Sequence, residues 1–185
     1  WVVIDFPDSW QKMGPALQRT GKWDPAKTWT SDGLRSPDLP KKSGEKVTEG
    51  MQGTVPTSID APAGDAFDKL WKDTVKEDRQ TYDAQMFDAV VLYALAAARA
   101  GSSKGTDIAG KLVEVSGAPG TKYTFEQLGD ALKAAAAGED IDYEGASGPI
   151  DFDANGDPAS ASYGTWKYSG GKLVDSKDVI PVAGG

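Results

Sequence analysis

Two short stretches carry residue types suited to holding a small polar molecule: Phe6-Pro7-Asp8-Ser9-Trp10 and Ser31-Asp32-Gly33. In the second, the Asp32 carboxylate can accept a hydrogen bond from an ammonium group. Gly33, having no side chain, lets a ligand approach the backbone. In the first, the Ser9 hydroxyl and the N–H groups that open a helix can hold a polar or anionic group. Phe6 or Trp10 can wall an apolar pocket. The plainer reading of the same residues is a tight turn at Asp32-Gly33 and a core position for Trp10.

What the chain lacks narrows the chemistry further. Among its 185 residues there is no Cys and no His. That removes disulfides, thiolate nucleophiles, Cys-based zinc sites, the Ser-His-Asp triad and the commonest general base. Carboxylates remain, and Glu139, Asp140, Asp142 and Glu144 cluster after a helical stretch. A hydrolase could use two acids facing across a cleft, but acids clustered in a loop read as solvated surface. Asp151-Phe152-Asp153-Ala154-Asn155-Gly156-Asp157 matches the opening of an EF-hand calcium loop. Its twelfth position is Ser162, where a bidentate Glu is needed, and its flanks alternate like strands, so a β-hairpin is the better reading. No catalytic group, metal ligand set or cofactor is expected. The net charge of −8 and pI near 4.6 oppose phosphate backbones and anionic lipid. No run of about 18 apolar residues is present to span a bilayer. Nucleic acid and direct membrane insertion are therefore not expected.

These stretches need elements to position them. Trp1-Val2-Val3-Ile4-Asp5-Phe6 is β-branched and aromatic, and reads as a buried parallel strand closed by Pro7-Asp8. Asp8 or Ser9 is expected to cap a helix bearing Trp10, Met13 and Leu17 on one face, started late or kinked by Gly14-Pro15 and ended by Gly21. Short strands are expected at 27–30 and 51–55, with loop over 31–46. Open α/β sheets hold ligands beyond the carboxyl ends of parallel strands. If the first two strands are neighbours, both stretches therefore meet at one edge. Further on, residues 61–63 lead into a helix bearing Phe67, Leu70 and Trp71. The most strongly periodic helix spans 82–100, with Phe87, Val90, Val91, Ala94, Leu95 and Ala98 as its apolar stripe. Another at 106–116 carries Ile108, Leu112 and Val115. Thr124 with Gln127 makes a capping box, Tyr123 with Leu128 a hydrophobic staple, and Gly138 the stop of one more helix. The tail turns to strands at 148–153 and 160–168, joined by Asn155-Gly156. This order is that of an α/β chain.

Several segments together resemble one family. Phe87-Asp88-Ala89-Val90-Val91-Leu92-Tyr93-Ala94-Leu95-Ala96 resembles a helix of the type I periplasmic solute-binding proteins, the receptors of ABC transporters for branched-chain amino acids and related ligands. Glu49-Gly50-Met51-Gln52-Gly53-Thr54 resembles their strand near a crossing between lobes. The most specific match runs Asp142-Tyr143-Glu144-Gly145-Ala146-Ser147-Gly148-Pro149-Ile150-Asp151-Phe152-Asp153 and on through Asn155-Gly156-Asp157. It resembles the family's late signature, and Tyr163-Gly164-Thr165-Trp166 resembles the closing strand.

The resemblance implies a partial type I periplasmic-binding-protein fold: α/β, two lobes of parallel sheet flanked by helices, joined by three crossings into a clamshell that holds ligand between them. It implies residues 1–50 in the C-terminal lobe, 51–155 in the N-terminal lobe, and 156–185 returning to the C-terminal lobe. The chain matches the second half of such a receptor, truncated at the N-terminus, and its opening inside an apolar strand accords with that. In amino-acid-binding members an acidic residue followed by Gly after the second strand contacts the ligand ammonium, and Asp32-Gly33 stands at that position. The family's pocket aromatic is matched here by Ser9, with Trp10 beside it, a departure from the branched-chain amino-acid receptors. The implied function is an extracytoplasmic receptor, periplasmic or at the cell surface, and not an enzyme. It would bind a small amino acid or related solute and deliver it to the membrane permease of an ABC importer. The alternatives are a sensory receptor of the same fold feeding a regulatory system, and a secreted carboxylate-dependent hydrolase.

Overall fold

The apolar opening of the chain makes a strand of two residues, β1 (Val2–Val3), in the computed structural model, which describes residues 1–57, 63–117 and 119–183. It is parallel to the next strand, as expected, but it is not buried. Val2 is 80% exposed, and Trp1, Ile4 and Phe6 are exposed with it. The cause is position: β1 is the outermost strand of its sheet, so its free edge meets solvent. Helix α1 (Pro7–Arg19) follows at once, with Pro7 preset for the first turn and Phe6 at the cap position. Asp8 and Ser9 lie inside the helix, so neither is the expected cap. The helix also runs unbroken through Gly14-Pro15. Packing outweighs the local penalty here, because a Cβ at Gly14 would lie 2.6 Å from Val47 Cγ1 and 2.9 Å from the Trp10 ring.

A 3-10 turn, Pro25–Lys27, leads into β2 (Trp29–Thr30). The segment after it is more ordered than its Pro and Gly content suggests. It forms a 3-10 turn, Asp32–Leu34, then α2 (Leu39–Ser43) and α3 (Glu45–Thr48). Pro40 falls in the first turn of α2, where its missing N–H leaves no helical bond unmade. β3 (Gln52–Pro56) closes this part of the chain.

The helical middle begins with α4 (Gly64–Thr74), which buries Phe67 and half-buries Leu70 and Trp71. Ala61 and Pro62, expected to lead into it, lie outside the described residues. In α5 (Asp83–Ala100) the buried stripe is rotated from its expected place. Ala84, Asp88, Val91, Leu92, Leu95 and Ala96 are buried, while Val90 is exposed. The polar Asp88 is drawn inside by four hydrogen bonds, from Tyr143 Oη at 2.8 Å, Ala146 N at 2.9 Å, Ser147 N at 2.7 Å and Ser147 Oγ at 2.6 Å.

The helix expected over 106–116 breaks at Gly110 into α6 (Gly105–Ala109) and a 3-10 turn, Val113–Val115. After β4 (Thr121–Tyr123) the capping box is present, with Thr124 N–H donating to Gln127 Oε1 at 2.9 Å. Helix α7 (Leu128–Ala137) then ends at Gly138.

β5 (Ile141–Gly145) follows, where the sequence suggests a solvated acidic loop. Glu139 and Asp140 are exposed as expected, but the two acids within the strand are buried: Asp142 is 4% and Glu144 6% exposed. β5 is the middle strand of its sheet, flanked by β4 and by β6 (Gly148–Pro149), and all five of its residues are buried. Lys122 of β4 hydrogen-bonds Glu144 and lies 3.8 Å from Asp142. The strand expected over 148–153 reduces to β6 and a single bridge between Phe152 and Pro158. Within that turn the Asp153 carboxylate accepts the backbone N–H groups of Asn155 at 2.8 Å and Asp157 at 2.9 Å, which hold its carboxyl below the ordinary range.

β7 (Ser160–Ser169) and β8 (Lys172–Ala183) form a hairpin. One sheet has the order β1-β2-β3-β7-β8, with β1, β2 and β3 parallel and β7 antiparallel to β3; the other has the order β4-β5-β6. The chain divides into two compact units, Trp1–Thr57 with Tyr163–Ile180, and Ser58–Ser162 with Pro181–Gly185. The core of the first is built on Trp10, Leu34, Leu39, Met51, Trp166 and Tyr168. That of the second is built on Leu92, Leu95, Val115, Ala131, Ile141 and Tyr143. Among the described residues no helix is long and apolar enough to cross a membrane.

Candidate functional site

β1 and β2 are adjacent and parallel, with Val2 opposite Trp29 and Val3 opposite Thr30. The chain therefore leaves both strands at the same carboxyl edge, the place where open α/β sheets carry their sites. There the two loops touch. A Cβ on Gly33 would lie 2.5 Å from the Asp5 carbonyl oxygen and 3.4 Å from the Phe6 ring. The bare backbone at Gly33 thus admits the neighbouring loop, a demand separate from any approach by a ligand.

Of the sequence-predicted residues, the edge gathers Phe6, Gly33, Ser9 and Asp32, but not Trp10. Phe6 is exposed beside Gly33. Ser9 Oγ bonds the Asp5 carboxylate and lies 3.1 Å from the Phe6 carbonyl oxygen. Asp32 opens the 3-10 turn, and its carbonyl accepts the Arg35 N–H at 2.8 Å. Trp10 has no exposed surface with which to meet a solute. It lies in the core, edge-on to Trp23 with ring centroids 5.7 Å apart.

Residues far along the chain hold this edge from behind, and the sequence does not announce them. The Tyr168 hydroxyl on β7 accepts the Ser36 N–H at 3.0 Å, and it lies 2.7 Å from the Leu34 carbonyl oxygen and 2.8 Å from that of Ser36, either of which can take its proton. Tyr168 is fully buried, and burial pushes its hydroxyl pKa up to about 12, so it remains a donor. Arg35 engages Asp175 of β8 in a two-pronged ion pair, Nε to Oδ1 at 2.9 Å and Nη2 to Oδ2 at 2.6 Å. Asp5, also outside the predicted set, has its Oδ2 buried with no hydrogen-bond partner among the described residues. A separate hollow of about 320 Å³ lies over Gln52, Thr165, Lys167, Val174 and Ser176, and none of the sequence-predicted residues lines it.

Residues 6–171 match the receptor family ligand-binding region. The chain belongs to that family. Its fold is that of the type I periplasmic binding proteins, and the family binds solutes and does not transform them. The leucine-binding protein LivK of Thermotoga maritima superposes with a TM-score of 0.64 at 20% identity, over 97% of this chain and 43% of that one. The branched-chain amino-acid transporter binding protein LivJ of Streptococcus pneumoniae, in complex with isoleucine, gives 0.63 at 17% identity, over 99% and 44%. A solute-binding protein from R. palustris, in complex with benzoate, gives 0.52 at 18% identity, over 99% and 44%. In sequence the chain is 35% identical over 81 residues to the chemotactic signal transduction system substrate-binding protein BasB of Halobacterium salinarum, covering 44% of this chain and 20% of that protein. The chain thus spans less than half the length of each of these relatives.

Proposed function

We propose that this receptor chain binds a small amino acid or related solute at the carboxyl edge of β1 and β2, with the Asp32 carboxylate accepting the solute's ammonium group. Ser9, Phe6 and the Gly33 backbone complete its share of the pocket. The observation that carries the reading is the parallel pairing of β1 with β2, which sets Asp32-Gly33 against the Phe6 loop at the edge where such sheets bind ligands. In this reading Trp1–Thr57 with Tyr163–Ile180 stands as the C-terminal lobe and Ser58–Ser162 as part of the N-terminal lobe. The receptor works outside the cytoplasm, closes over its solute, and passes it to an ABC permease. Benzoate, bound by one relative of the same fold, is disfavoured because a carboxylate ligand would face the charge of Asp32 with no ammonium to offset it.

The test is calorimetric titration of the receptor containing this chain with leucine, isoleucine, other amino acids and benzoate. An amino acid binds, benzoate does not, and Asp32→Ala weakens binding on the order of tenfold or more, the worth of a charge-assisted hydrogen bond. Unchanged affinity in Asp32→Ala would sink the assignment. A second reading, delivery of the solute signal to a sensory system, is favoured by the 35% identity to the chemotactic BasB. Deleting the gene separates the two: lost solute uptake supports transport, and lost movement toward the solute with uptake intact supports sensing.

A further inference from the structure

We infer that Tyr168 and the Arg35–Asp175 pair are positioning residues, through which the β7–β8 hairpin fixes the shape of the 31–36 segment before any solute arrives. The inference rests on the reading that Asp32-Gly33 is part of the binding edge. Three successive residues just beyond that pair are pinned. The Leu34 side chain is fully buried, and its carbonyl faces the Tyr168 hydroxyl at 2.7 Å. Arg35 is forked onto Asp175. Ser36 meets the same Tyr168 hydroxyl through both its N–H and its carbonyl. Tyr168 is itself held on both sides of its backbone, with Tyr168 N donating to Met51 O and Gly50 N donating to Tyr168 O, each at 2.9 Å. The Tyr168 ring also packs edge-on against Trp166, with centroids 5.3 Å apart.

A loop built this way leaves little freedom to lose on binding. Ordering a flexible loop subtracts from affinity, so a prefixed loop binds more tightly with no additional contact to the solute. None of the three residues needs to touch ligand for this effect. The hairpin lies 132 to 140 positions away in sequence from the segment it steadies, so the device belongs to the fold and not to a local motif.

The experiment uses the receptor containing this chain and two readouts, amide hydrogen exchange without ligand and calorimetric titration with isoleucine. Tyr168→Phe and Asp175→Asn each speed exchange at the Gly33, Leu34 and Arg35 amides, none of which bonds Tyr168, while α7 exchanges as before. Each also weakens isoleucine binding by about threefold to tenfold, the worth of one net hydrogen bond. Reversing the pair, Arg35→Asp with Asp175→Arg, restores both readouts, which it could not do if Arg35 acted by touching the solute. Asp175 is half exposed, so its variant stays informative if Tyr168→Phe fails to fold. Unchanged exchange in Asp175→Asn overturns the inference, as does faster exchange with unaltered affinity. If Asp32→Ala leaves isoleucine affinity unchanged, the reading of the edge fails while the exchange result still decides whether the hairpin steadies the loop. If isoleucine does not bind at all, exchange alone decides it.

Discussion

Asp88 shows how a single side chain can fix a turn. Its two oxygens take three hydrogen bonds from the Ala146-Ser147 turn and a fourth from Tyr143 of β5, in a site with almost no water contact. Its charge and burial raise the Tyr143 hydroxyl pKa, burial contributing most, so Tyr143 stays a donor. Asp88→Ala leaves a buried hydroxyl and two amides without acceptors and is expected to destabilise the chain by about 3 kcal/mol or more, read from denaturant midpoints. Asp142 is a carboxyl whose own charge is opposed in the same way. Burial, then the charge of Glu144, raises its pKa above 3.8; Asp151 and Asp140 add to the shift, and Lys122 opposes it. The folded state therefore holds this proton more tightly than the unfolded chain does. The side chain favours folding at low pH, and that contribution is lost as pH rises through the raised folded value. Asp142→Asn should gain stability relative to the wild type as pH rises from about 4 through the raised folded value, and a constant offset across the titration would count against a buried, charge-crowded carboxyl.

At the scale of elements, legibility followed locality. The stop of α7 at Gly138 and the capped 3-10 turn Phe125–Gln127 that leads into the helix were readable because Thr124, Gln127 and Gly138 act on their own neighbours. Thr124→Ala is accordingly expected to remove about 1 kcal/mol, with faster exchange at the Glu126 and Gln127 amides as its local mark. The convergence of Phe6 and Asp32-Gly33 was also readable, since it needed only that consecutive parallel strands be neighbours. What the sequence could not show was decided by partners distant along the chain. Trp10 is amphipathic enough for a pocket wall or a core, and only the arrival of Trp23 and α3 places it inside. Asp142 and Glu144 look as solvated as Glu139 and Asp140 until β4 and β6 flank β5 and Lys122 meets Glu144. Tyr168, Arg35 and Asp175 carry no local signal at all, because their meeting depends on the return of the hairpin.

At the scale of the whole molecule, the first unit is assembled from two stretches separated by the second. Trp166 donates to the Thr54 carbonyl at 3.1 Å across 112 positions of sequence, and Pro56 pairs with Tyr163. Closing so long a loop in an unfolded chain carries a high entropy that no early local contact offsets. If the intervening residues fold first with their ends together, that closure is already made. Pulse-labelled refolding is expected to protect α5 and α7 before β3, and simultaneous protection of all three would contradict this order. The same interleaving bears on how the protein is made. On a ribosome, β3 emerges more than a hundred residues before its partner β7, and through that interval its β7-facing edge stays bare and sticky. The edge proposed to bind solute thus waits for the hairpin that steadies it, and a nascent chain needs shielding there for as long as translation of the intervening segment lasts.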